Sequence, residues 1–106
     1  MPALFTGLIT MVTAQLLDLG TFVTMIRRLG PRAEANPFVA DILADHGLPL
    51  LVLGKVLVML FVAALAVVLA HRASPSDRRV AALVLGVSIA AGIIGGGSNA
   101  LVIGPL

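Results

Sequence analysis

Six polar residues stand where this chain is otherwise apolar or turning: Asp18, Thr21, Glu34, Asn36, Lys55 and Asn99. Between them they offer carboxylates, an ammonium, amides and a hydroxyl, which is the chemistry of ion pairing and of binding small polar groups. Asp18 is the one ionisable residue between Pro2 and Ile26, and Lys55 is the one between Gly47 and Ala70. A charge left alone in hydrocarbon costs at least about 2.5–3.5 kcal/mol on insertion scales, so each needs a partner, a route to the headgroups or water. Asp18 lies eight residues before the end of the first apolar run, about 12 Å deep at 1.5 Å per residue. Lys55 lies seven or eight residues into the second run, which starts from the same face, about 11 Å deep by the same rise. Asn99 falls near the end of the third run, which returns toward that face. Acid, base and amide therefore gather in one leaflet, and an Asp18–Lys55 ion pair is the economical arrangement. Gln15 and Thr21, each three positions from Asp18, extend a polar stripe along one helix face. Three roles fit this set: a structural pair that docks two helices with Lys55 partly snorkelling, a polar pocket or pathway for an ion or small solute, or contacts to a partner subunit.

The elements that must position these residues follow from hydropathy. Of 106 residues 59% are hydrophobic and only 11% are charged, too few to cover a small soluble core. Three runs reach the roughly 20 residues needed to span hydrocarbon. They predict an all-α integral membrane protein in a single membrane domain, residues 1–106. The membrane helices are expected at about 3–26, 48–70 and 80–103, with a short interfacial helix at about 37–46. Arg27-Arg28 followed by Gly30-Pro31 stops the first helix. Asn36 caps the short helix and Pro37 takes its first position. On that helix Phe38, Val39, Ile42 and Leu43 share one face and Asp41 and Asp45 the other, the pattern of a helix lying in the interface or tucked against the bundle. A tight basic loop is expected over His71 to Arg79. The first run has no basic leader and contains Asp18, so it reads as a retained helix rather than a signal peptide. Arg27, Arg28 and Arg32 in one connection balance Arg72, Arg78 and Arg79 in the other, so the basic residues set no orientation.

In the third run Ser88, Gly92 and Gly96 form a small-residue ladder for close helix packing. The run Gly95-Gly96-Gly97-Ser98-Asn99 weakens the helix by roughly 1 kcal/mol per glycine. It is expected to unwind there, or to fray, and to offer backbone groups to the Asp18–Lys55 region.

Several familiar constellations fail. Gly54-Lys55 lacks the spacing and the following Ser or Thr of a phosphate-binding loop. Gly92 to Gly97 lacks the dinucleotide spacing and follows no strand. Ser98 with His46 makes a poor hydrolase, since His46 lies in a connection. There is no cysteine, and His46 and His71 in separate connections suggest no haem or metal site. No enzyme signature, cofactor or nucleic-acid partner is expected, the arginines being placed to meet lipid headgroups.

The combination Asp18-x2-Thr21, Glu34-x-Asn36-Pro37, a membrane Lys55 and a late Asn99 resembles a family of small uncharacterised prokaryotic multi-spanning membrane proteins. The resemblance covers most of the chain and implies a shared site made of Asp18, Thr21, Glu34, Asn36 and Lys55, with Asn99 beside them. Some relatives carry a fourth span, for which this chain has no room. The family implies no activity. The expected role is an accessory or structural subunit of a membrane complex, in the prokaryotic cytoplasmic membrane, contacting lipids and other membrane subunits or itself. The alternative is a homo-oligomeric transporter or channel component for an ion or small solute. Lipid or pigment binding beside the glycines is a weaker third reading, because no aromatic cage accompanies them.

Overall fold

The computed structural model describes residues 2–34, 36–72 and 74–104, and every regular element among them is helical. Helix α1 spans Pro2–Leu29, a 3-10 turn spans Pro31–Ala33, and α2 spans Pro37–His46. Helix α3 spans Leu48–Ala70 and α4 spans Pro75–Ile103. Helices α1, α3 and α4 are each long and apolar enough to cross a membrane, while α2, ten residues long, is too short to do so.

Local chemistry accounts for the ends. Arg27 and Arg28 belong to the last turn of α1, where cations oppose the negative end of the helix dipole. Gly30, at φ +82°, then turns the chain out while its N–H donates to the Ile26 carbonyl, a left-handed stop that glycine takes without steric cost. Asn36 caps α2 by accepting from the Phe38 N–H. Gly47, at φ +83°, is the single residue between α2 and α3.

Two boundaries differ from the expectation. Helix α1 continues to Leu29, because nothing before Gly30 interrupts it. Helix α4 begins at Pro75 rather than near Val80, so the second connection shrinks from His71–Arg79 to 71–74. Ser74-Pro75 with Asp77 in the first turn is a helix start, with Ser74 extended before a proline at the first helical position. The polar residues 75–79 thus lengthen α4 beyond its apolar part. Arg72, largely exposed, and Asp77, partly buried, approach to 4.0 Å across this turn, a contact that contributes little.

The closest packing is between α1 and α4, and the small residues permit it. A Cβ built on Gly92 would lie 2.7 Å from the carbonyl carbon and oxygen of Ala14, and one on Gly96 would lie 2.8 Å from Cγ of Leu17. At Gly92 the backbones approach to a separation that only glycine allows, whereas at Gly96 the close neighbour is a side chain. Ser88, one step up the same ladder, is half-buried against α1.

Two apolar layers hold the helices. Phe22, Met25, Ile26, Leu43 and Leu51 form one, at the end carrying α2. Met11, Ala66 and Leu85 form the other, in the opposite half. Val39 and Ile42 pack on the first layer, whereas Phe38 is 73% exposed. Phe38, in the first turn of α2, nonetheless lines one groove with Val39 and Ile42. Outward positions of α3 such as Leu53, Leu57, Val58 and Phe61 are more than half exposed. Such a face is untenable in water and at home in acyl chains.

Candidate functional site

Between the two apolar layers lies a polar one. On α1 the three-residue spacing of Asp18 and Thr21 sets both side chains toward α4, and α3 and α4 bring Lys55 and Asn99 to them. The Asn99 amide nitrogen donates to the Asp18 carboxylate Oδ1 at 3.2 Å, to the Asp18 backbone carbonyl at 3.3 Å and to Thr21 Oγ1 at 3.2 Å. Two N–H groups serve three acceptors, so one bond is shared. The Thr21 hydroxyl donates back to the Leu17 carbonyl at 2.7 Å, which leaves its oxygen free to accept from Asn99. Lys55 Nζ stands 3.5 Å from Asp18 Oδ2 and 5.0 Å from the centroid of the Phe22 ring. Each carboxylate oxygen of Asp18 thus faces its own donor, from α3 on one side and α4 on the other. The cation over an aromatic face adds roughly 0.5–2 kcal/mol in such a setting.

The glycine run behaves differently from the expectation. Helix α4 passes through residues 95–97 without unwinding, so these backbone groups bond within the helix and are not offered to the charged pair. Gly95 serves the site by its lack of a side chain. A Cβ there would lie 2.5 Å from Asp18 Oδ1 and 2.8 Å from its Cγ. Gly97 faces open space and Gly96 faces Leu17. The helical cost of the run is offset by the packing of α1 against it.

Glu34 and Asn36 enter from the first connection. The Glu34 carboxylate accepts the Asn36 backbone N–H at 2.9 Å, and the Asn36 side chain accepts the Phe38 N–H at 3.0 Å. This chain of bonds makes the turn into α2. Among the described residues, no hydrogen bond or ion pair joins Glu34 or Asn36 to Asp18 or Lys55. They share a cleft instead: Asp18, Lys55, Asn99, Ser98, Glu34 and Asn36 all line one cavity of about 270 Å³, with Phe22 and Met25 among its apolar walls. On the other side of Lys55 an apolar groove of about 560 Å³ runs along α3 toward Val58 and Gln15.

Of the six positions, Asp18 touches both Lys55 and Asn99, Asn99 also reaches Thr21, and Glu34 and Asn36 stand in the same cleft without bonding to Asp18 or Lys55. Two further contacts escape sequence reasoning. Gln15 Nε2 donates to the Ser88 carbonyl at 2.7 Å and lies 3.3 Å from its hydroxyl, so Ser88 is a hydrogen-bond partner as well as a step of the ladder. Phe22 lies under Lys55; its place four residues after Asp18 on the same face was the available signal. Ser98 borders the cleft and His46 does not, so the two are not a nucleophile–base pair. Among the described residues no three His, Cys, Asp or Glu side chains converge as a metal site. The arrangement can pair charges, anchor three helices and present an ammonium and carboxylates to a polar guest.

No curated protein and no solved structure matches this chain. The model of a family described as a domain of unknown function, DUF5658, matches residues 9–104. That span holds all six polar positions and most of every helix, and the chain belongs to this family.

Proposed function

We propose that the protein is a small accessory or structural subunit of a complex in the prokaryotic cytoplasmic membrane. In this reading the one-leaflet polar cluster locks α1, α3 and α4 into a unit, and the outward apolar faces meet other membrane helices. The observation that carries it is the closure of the half away from α2. There Met11 and Ala66 are fully buried and Leu85 nearly so, packed with Leu8, Met59, Val62 and Ile89. Gln15 and Ser88 bond to one another, and among the described residues beyond them no charged side chain lies within the packed layer of Met11, Ala66 and Leu85. Three membrane helices in direct contact leave little room among them for a passage. Moving an ion or solute through it would require several copies.

The cleft that reaches Asp18 and Lys55 from one side favours a second reading, a component of a homo-oligomeric transporter. Site-specific photo-crosslinking in the native membrane separates the two. A photoreactive residue at Leu57 or Phe61, both facing outward on α3, should yield one discrete adduct with a different membrane protein. Native mass spectrometry of the gently extracted complex should then give that partner in fixed ratio. Adducts with the chain itself alone would refute the accessory reading and support self-assembly. Adducts with lipid alone would refute both.

A further inference from the structure

The geometry points to the cleft beside α2 as a binding site for a small zwitterion, a group that carries an ammonium and an acid a few bonds apart. This goes beyond the subunit role and does not rest on it. The walls carry both signs. Lys55 lies deep, its side chain 34% exposed, and Asp18 is 17% exposed. Their 3.5 Å separation exceeds the 2.7–2.9 Å of a direct charge-assisted hydrogen bond. The ammonium has three N–H donors, and among the described residues it meets only this distant carboxylate and the Phe22 ring. Donor capacity therefore remains at the cleft wall. Nearer the first connection Glu34 uses Oε1 to hold the Asn36 N–H. Its second oxygen has no donor among the described residues.

Charge decides the class of guest. A simple anion drawn to Lys55 would face Asp18 and Glu34 in the same 270 Å³, and a simple cation drawn to Glu34 would leave the free donors of Lys55 unused. A guest with its acid on Lys55 and its ammonium on Glu34 meets an opposite charge at both ends. At about 30 Å³ per water the cleft holds roughly nine waters, the bulk of a solute of about ten non-hydrogen atoms. A free α-amino acid and the phosphoethanolamine headgroup of a membrane lipid both have this charge pattern and bulk.

The test uses the full chain in detergent micelles. Soluble probes are alanine and phosphoethanolamine, with glycerol phosphate and ethanolamine as single-charge controls, read by saturation-transfer NMR. Lipid probes are phosphatidylethanolamine and phosphatidylglycerol, read as retained adducts in native mass spectrometry. Binding of a zwitterionic probe in preference to its single-charge controls is expected, weakened about tenfold by Glu34→Gln, the loss of one charge-assisted bond. Glutamine keeps an acceptor for the Asn36 N–H and leaves the Asp18–Lys55 pair alone, so this variant tests the site even if Lys55→Met does not fold. Preference among the soluble probes assigns a free solute; preference confined to phosphatidylethanolamine assigns the headgroup. Equal binding of single-charge controls, indifference to Glu34→Gln, or no binding of any probe overturns the proposal.

Discussion

Substituting alanine at four glycines of α4 should give opposite signs within six residues of one helix. At Gly97 a methyl group meets nothing within 4 Å, so Gly97→Ala gains helix propensity and stabilises by up to about 1 kcal/mol. At Gly95 the same methyl would sit 2.5 Å from Asp18 Oδ1. The side chain must swing away, and the bond from Asn99 to that oxygen is lost or lengthened. Overpacking costs about 1–3 kcal/mol and a hydrogen bond to a charged group about 1.5–3 kcal/mol, partly offset by the propensity gain. A net loss of about 2 kcal/mol follows. Gly96→Ala meets Leu17 Cγ at 2.8 Å, a branched side chain with some freedom to turn, and should cost about 1–2 kcal/mol. Gly92→Ala meets the Ala14 backbone at 2.7 Å. A backbone cannot rotate aside, so α1 and α4 must separate, and the loss should be the largest of the four, about 3 kcal/mol or more. The chain contains no cysteine; two can therefore be introduced at the ends of α1 and α4 for dye labelling. Unfolding by SDS in mixed micelles, followed by energy transfer between the dyes, then ranks the variants. The Gly97 and Gly92 variants should differ by about 4 kcal/mol, close to a thousandfold in the folded ratio at 1.4 kcal/mol per tenfold. Equal destabilisation at Gly95 and Gly97 would refute the claim that close approach, rather than flexibility, explains the run.

Two further outcomes are expected. In the same assay Asp18→Asn or Lys55→Met alone should cost about 1–3 kcal/mol, since each strands a partly buried charge, and the double variant should cost less than either; equal losses in all three would mean that the pair is not coupled. Asn36→Ala removes the acceptor for the Phe38 N–H and should speed amide hydrogen exchange in the first turn of α2, with a loss of about 1 kcal/mol, whereas Asn36→Ser should restore protection. Unchanged exchange in the alanine variant would show that packing of Leu43, not the cap, holds that turn.

The number of helices, their class and most of their ends were legible in the residues themselves. Apolar runs long enough to span hydrocarbon are a one-dimensional property, and Asn36-Pro37, Gly30 and Gly47 act within a few residues of their own positions. The shared depth of Asp18, Lys55 and Asn99 was legible too, because rise per residue converts sequence distance into height. The start of α4 is not legible from hydropathy, because Ser74-Pro75 is as good a turn as a helix start and the polar residues that follow hide the helix behind a hydropathy boundary. Azimuth was legible only in part: the Ser88–Gly92–Gly96 ladder marked a packing face, but which neighbour each face meets depends on residues far away in the chain. That rotation sets Gly95 against Asp18 and Gly92 against Ala14, joins Gln15 to Ser88, and slides Phe22 beneath Lys55. It also decides the fate of the glycine run. By local propensity three glycines favour unwinding, yet the packing of α1 against a surface without side chains outweighs a cost of roughly 1 kcal/mol for each. Sequence alone placed the polar groups at a common depth; tertiary packing decided which atoms meet, and left a cleft with charges of both signs beside them.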